Sequence, residues 1–134
     1  MLLFFKLYLI TFIIFFLIDM LWLGVIAKNV YKHYLGHLMA TRVKWLAAML
    51  FYLLFIGGIV FFVLMPAVDK GQWHYALLVG GLFGFITYAT YDLTNLATLE
   101  NWPLKITAID LAWGTTLGAM TSVFSYLIYQ WIWM

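Results

Sequence analysis

Three aspartates, Asp19, Asp92 and Asp110, sit inside stretches made otherwise of Leu, Phe, Ile and Trp. A carboxyl group in such a setting can carry a proton, neutralise a cation, help to hold a metal, or act as a general acid or base. The block Tyr88-Ala-Thr-Tyr-Asp-Leu-Thr-Asn95 gathers polar side chains around Asp92. An Ile-Asp-x-x-Trp pattern occurs twice, pairing Asp19 with Trp22 and Asp110 with Trp113. An Asp and a Trp three residues apart share one helix face, so each stretch presents an acid beside an indole N–H donor. Asp19, Trp22, Tyr88, Tyr91, Asp92, Asn95, Asp110 and Trp113 are therefore the candidate ligand-binding residues.

Other chemistries have less support. The chain has no cysteine, which removes disulfides, thiolate metal sites and thiol nucleophiles. His33 and His37 stand four apart and could ligate zinc or iron together with an Asp, yet nothing in the sequence aims them at the aspartates. No metal is assigned, and no cofactor is implied. Asp92 and Asp110 on successive helices resemble the paired aspartates of intramembrane proteases, but the second helix of the pair lacks the Gly-x-Gly-Asp pattern of that family. A formal charge of +2 without any basic run excludes nucleic acid as a partner.

The elements that must position these residues are membrane helices. The chain is 67% hydrophobic and 9% charged over 134 residues, a composition that no water-soluble domain of this size sustains. Spanning the hydrocarbon takes about 20 apolar residues per helix. Stretches 2–27, 43–66, 74–99 and 105–133 meet that need. The expected fold is an all-α integral membrane four-helix bundle forming a single transmembrane domain over 1–134, with a short interfacial helix between helices 1 and 2. Lys6 ahead of an apolar run and Val25-Ile26-Ala27 resemble a secretory signal with its cleavage site. The length of the run and Asp19 within it argue instead for a retained first span.

In the connection "KNVYKHYLGHLMATRVK", Val30, Tyr31, Tyr34, Leu35 and Leu38 fall near helical spacing among basic residues, which predicts a helix lying flat on the membrane surface. Met65-Pro66 is expected to end the second span, and Pro103 to open the fourth with Trp102 at interface depth. Trp45, Trp73, Trp131 and Trp133 also fall at span ends, as an aromatic belt requires. The face holding the first and third connections carries Lys28, Lys32, Arg42, Lys44 and Lys105, against Lys6 and Lys70 on the other. The positive-inside rule then places both termini outside the cytoplasm.

Counting from the charged residues at that cytoplasmic boundary, Asp19 lies nine residues from Lys28, Asp92 eight from Glu100 and Asp110 five from Lys105. A rise of about 1.5 Å per residue gives depths of roughly 14, 12 and 8 Å, so three helices deliver carboxylates into one half of the membrane. Gly81, Gly84, Tyr88, Asp92 and Asn95 share a stripe on the third helix, with Tyr91 at its edge. Asp110, Gly114, Leu117, Thr121 and Ser125 share one on the fourth. Gly80/Gly84 and Gly114/Gly118 form small-xxx-small pairs, which suit close helix contact and offer a face for a homodimer. The second span contributes no carboxylate, only Tyr52 and Gly57-Gly58.

Asp19-x-x-Trp22-x-Gly24, the Tyr88–Asn95 block and Asp110-x-x-Trp113-Gly114 together resemble a bacterial family of short four-helix membrane proteins classed as a domain of unknown function, DUF2177. The resemblance covers essentially the whole chain. It implies a multi-pass protein of the bacterial inner (plasma) membrane and brings no activity with it.

Function must therefore be argued from the residues. The first reading is a pocket on the cytoplasmic side that binds or transports a small polar or cationic molecule, an ion or a lipid headgroup, with the lipid bilayer as the constant partner. The alternatives are a lipid-modifying membrane enzyme using the carboxylates for metal or acid–base catalysis, and a structural or partner-binding bundle.

Overall fold

The computed structural model describes residues 1–39 and 42–134. Its elements are α1 (Leu2–Ile26), α2 (Lys28–Leu35), α3 (Trp45–Lys70), α4 (Trp73–Thr98) and α5 (Leu104–Trp133). All except α2 are long and apolar enough to cross a membrane. Inside hydrocarbon every backbone N–H and C=O must find its partner within the segment, which the helix alone provides for an unpaired stretch. Apolar side chains therefore cover α1 and α3 on all sides rather than along a stripe, and many of them face outward, including Leu9, Leu17, Leu46, Leu54 and Phe62.

The expected four-helix bundle is present, and two of its boundaries move for physical reasons. α1 ends in a π-helical turn over Trp22–Ile26, where the Ala27 N–H reaches the Trp22 carbonyl at 2.7 Å. The second span does not stop at Met65-Pro66. A π-helical stretch over Ile59–Leu64 precedes the proline, and a last helical segment continues over Met65–Lys70. Pro66 sits in the first turn of that segment. A proline has no N–H to donate and its ring crowds the carbonyl four residues back, and the wide turn just before it takes up the mismatch. The helix ends instead at Gly71, whose φ of 65° is the left-handed conformation that suits glycine. There the Gly71 N–H bonds to Val68 O and the Gln72 N–H to Ala67 O, both at 3.2 Å.

The expected surface helix is shorter than its sequence span. It covers Lys28–Leu35, and positions 40 and 41 of the expected segment lie outside the described residues. Trp102, at the start of the last span, is buried against its neighbours. Its indole N–H donates to Thr107 Oγ1 at 3.1 Å, and its ring meets Tyr91 edge-on. Trp45, Trp73, Trp131 and Trp133 are exposed at span ends.

Packing divides the bundle into two unlike regions. Toward the chain termini, Leu7, Phe15, Ile56, Val60, Leu64 and Tyr126 form a closed apolar core. Lys6 at that end lies over the Trp133 ring, 4.8 Å from its centroid, which places the start of α1 beside the end of α5. Along the seam between α4 and α5 the backbones touch. A Cβ on Gly84 would collide with the Gly114 carbonyl, and one on Gly118 with the Gly80 carbonyl. Both small-xxx-small pairs thus join two helices within the chain, the close helix contact that their spacing suits. The second region, nearer α2 and the α4–α5 connection, holds the aspartates.

Candidate functional site

The helical phase of α1 turns Asp19 inward, where it is 3% exposed, and the following π turn carries Trp22 across to α5. There Trp22 stacks on Trp113, with ring centroids 4.3 Å apart and planes within 8°. The repeated Asp-x-x-Trp motifs therefore meet through their indoles. Since α1 and α5 run in opposite directions, the stack sets Asp19 about three residues, or roughly 4.5 Å, to one side of the indole level and Asp110 the same distance to the other. Asp19 faces Trp113 and Tyr52.

Tyr31 completes this arrangement. The indole N–H of Trp22 donates to the Tyr31 hydroxyl at 3.3 Å, and that hydroxyl donates to Asp110 Oδ1 at 2.5 Å. A chain of polar contacts thus links α1, α2 and α5. Burial, and next the bond to Asp110, hold the Tyr31 phenol above its ordinary pKa of 10.0, so it remains a donor at neutral pH. The amphipathic α2 is consequently not only a surface helix, because its tyrosine reaches into the bundle.

Asp92 of α4 is 0% exposed and faces Asp110. Among the described residues no other side chain donates to its oxygens, and the one polar group within hydrogen-bond reach is the Asp110 carboxyl, with which it can share a proton. Buried polar groups are ordinarily satisfied, and a carboxyl with only another carboxyl in reach asks for an explanation. Tyr88, one turn deeper, is seated by Gly114, since a Cβ at that position would run into the Tyr88 ring.

Two cavities open beside these groups. One, of about 190 Å³, is walled by Asp19, Trp22, Tyr31, Tyr52, Tyr88 and Trp113. The other, of about 270 Å³, is lined by Phe51, Thr87, Tyr88, Tyr91 and Asp110. Phe51 and Tyr88 line both, so the two spaces are neighbours across these rings. Among the described residues, no cationic side chain lines either one.

Of the residues singled out by sequence, Asp19, Trp22, Tyr88 and Trp113 come together around the smaller cavity, and Tyr88, Tyr91 and Asp110 around the larger. Asp92 is in contact with Asp110 and lines neither. Asn95 is half-buried, also lines neither, and approaches Tyr91. Tyr31, Phe51 and Tyr52 were not singled out as site residues. Tyr52 had a weak signal as the one polar side chain noted in the second span, and Phe51 had none. His33 and His37 are exposed, with His33 edge-on to Tyr34. Among the described residues, no three of His, Asp and Glu gather closely enough to hold a metal ion.

A model of the family described as "Predicted membrane protein (DUF2177)" matches residues 4–127. The chain belongs to the DUF2177 family. No curated protein and no solved structure matches it at a significant level. The family description gives membrane residence and no activity. Asp19, Asp92, Asp110, Trp22, Trp113, Tyr31, Tyr52, Tyr88 and Tyr91 all fall inside the matched DUF2177 region. Chemically, their arrangement in this DUF2177 chain offers carboxyl groups among aromatic walls, a setting that favours positive charge or an exchangeable proton and repels anions.

Proposed function

We propose that the protein binds or transports a small cationic or polar group, whether an ion, a small molecule or a lipid headgroup, in the cavities beside Asp19, Asp92 and Asp110. The observation that carries this reading is Asp92, fully buried against a second carboxyl, Asp110, with no other donor to either oxygen among the described residues. A charged residue at mid-membrane carries a penalty of about 2.5–3.5 kcal/mol on insertion scales, and such residues commonly mark substrate or ion pathways. A proton shared between the two carboxyls would supply what the surrounding side chains do not, and a cation in the larger cavity would meet Asp110. Asp110, held by Tyr31, would keep its orientation, while Tyr88 and Tyr91 line the approach. In this reading the site lies toward the cytoplasmic side of a bacterial inner membrane and both termini lie outside, as the distribution of basic residues favours.

The facing pair Asp92 and Asp110 also supports a second reading, an enzyme acting on a lipid in which one carboxyl acts as acid and the other as base. Turnover of a lipid substrate distinguishes it from simple binding.

Native mass spectrometry from mild detergent tests the first reading, comparing wild type with Asp92→Asn. A defined adduct present in wild type and lost in the variant is the expected result. Bare, identical spectra for both would overturn it. The same spectra count the copies of the chain in each complex.

A further inference from the structure

We propose that the smaller cavity is a cage for an alkylated ammonium group, with the carboxyl of Asp19 as its counter-charge and the rings of Trp22, Tyr52, Tyr88 and Trp113 as its walls. This rests on the cation-binding reading above and names its ligand class. The first support is the combination of groups. Around a space of about 190 Å³ stand one buried carboxyl and rings from five helices, with no cationic side chain among the described residues that line it. Aromatic faces attract cations through their quadrupole, and cages of such rings are the general means of recognising quaternary ammonium groups. Because Trp22 and Trp113 cover each other's inner faces, the stack offers one indole face to the space, beside the tyrosine rings.

The second support is exclusion by chemistry. Small metal cations take oxygen ligands in a tight shell, about six or more at 2.0–2.6 Å. Here the oxygen-bearing side chains that line the space are Asp19 and tyrosines on three different helices, around a void much larger than such a shell. An anion would meet Asp19 here and Asp110 beyond Tyr31. A sugar-like ligand needs several free donors and acceptors. Yet the Trp22 N–H already serves Tyr31, the Tyr31 hydroxyl serves Asp110, and Trp113 and Tyr52 face Asp19. What remains is one negative charge and aromatic surface, which suits a weakly hydrated cation with an apolar shell. The volume lies below the roughly 300–1,000 Å³ of pockets for drug-sized molecules, so it suits a headgroup or a small ammonium compound.

The test uses the full chain in detergent, titrated with tetramethylammonium chloride against sodium chloride at matched ionic strength, and reads thermal midpoint and tryptophan emission. Saturable stabilisation by tetramethylammonium and none by sodium is expected. Asp19→Asn, which keeps side-chain size, should weaken the response at least tenfold, and Trp113→Phe should weaken it less. An equal response to the two salts, or an Asp19→Asn protein of normal midpoint that still responds fully, overturns the cage. If the adduct in native spectra depends on Asp92 while tetramethylammonium has no effect, the cage falls and the broader binding reading stands. If neither is seen, both fall. Nanodiscs distinguish the source of the group. A response suppressed in phosphatidylcholine relative to phosphatidylglycerol supports the cage with a lipid headgroup as its occupant, and equal responses support it with a water-soluble one.

Discussion

Tyr31 and Asp110, 79 positions apart in the chain, are joined by a hydrogen bond of 2.5 Å from phenol to carboxyl. That bond fastens the short helix α2 to the bundle at the point where the cavities open. Tyr31→Phe keeps the ring and removes the donor. Hydrogen bonds to charged groups contribute about 1.5–3 kcal/mol, so a destabilisation in that range is expected, with faster proteolysis within residues 28–39. Unfolding in a graded detergent series beside limited proteolysis checks both effects.

The raised pKa of Tyr31 gives this bond a pH signature. A group whose folded pKa lies above its unfolded value contributes stability that is complete below the unfolded value, here 10.0, and is lost as pH rises beyond it. Stability measured from pH 9 to 12 should fall more steeply in wild type than in Tyr31→Phe. Parallel profiles would show that the phenol is not linked to folding.

Trp22 and Trp113 couple α1 to α5 through a flat stack. Aromatic pairs contribute about 0.5–1.5 kcal/mol beyond the area they bury. A double-mutant cycle with Trp22→Leu and Trp113→Leu should return a coupling energy of that size, and additive losses would count against the stack.

The glycine seam makes a sharp contrast between positions. Gly84→Ala would drive a methyl group into the Gly114 carbonyl, whereas a Cβ on Gly24 meets nothing within 4 Å. Overpacking of this kind typically costs about 1–3 kcal/mol. Gly84→Ala should lower the thermal midpoint or abolish folded protein, and Gly24→Ala should leave it unchanged.

Asp92 and Asp110 should respond in opposite directions. Asp92 faces a like group, and an amide at this position can donate to Asp110 without a second charge or a shared proton, so Asp92→Asn should raise the thermal midpoint of the ligand-free protein. Asp110 accepts from Tyr31, so Asp110→Asn should lower it. A fall in both variants would make the pair a structural clasp.

The four spans and the inward turn of the three aspartates were legible because apolar length and helical phase act locally, residue by residue. Two features were not. Tyr31 belongs to a spacing of apolar residues that a lipid surface and a protein surface satisfy equally well, and only the fold shows that its hydroxyl reaches α5. Pro66 reads as a stop, and nothing in the sequence before it announces the π-helical stretch that carries the helix past it. Asn95 shared the stripe of Asp92, but a straight stripe on a helix continues beyond the space its neighbours enclose. The glycine pairs signalled a close contact, and sequence could not say whether the contact lay within one chain or between two.

Backbone contact between α4 and α5 at Gly80, Gly84, Gly114 and Gly118 leaves no room there for water. In a polarised membrane the voltage falls mainly across such dry protein and little across a hydrated recess. A full crossing is worth about 2.3 kcal/mol per elementary charge at 100 mV. A charge entering beside Asp19 or Asp110 would meet only a fraction of that, so occupancy at rest should depend weakly on membrane potential, and any step carrying charge past the glycines should depend on it strongly.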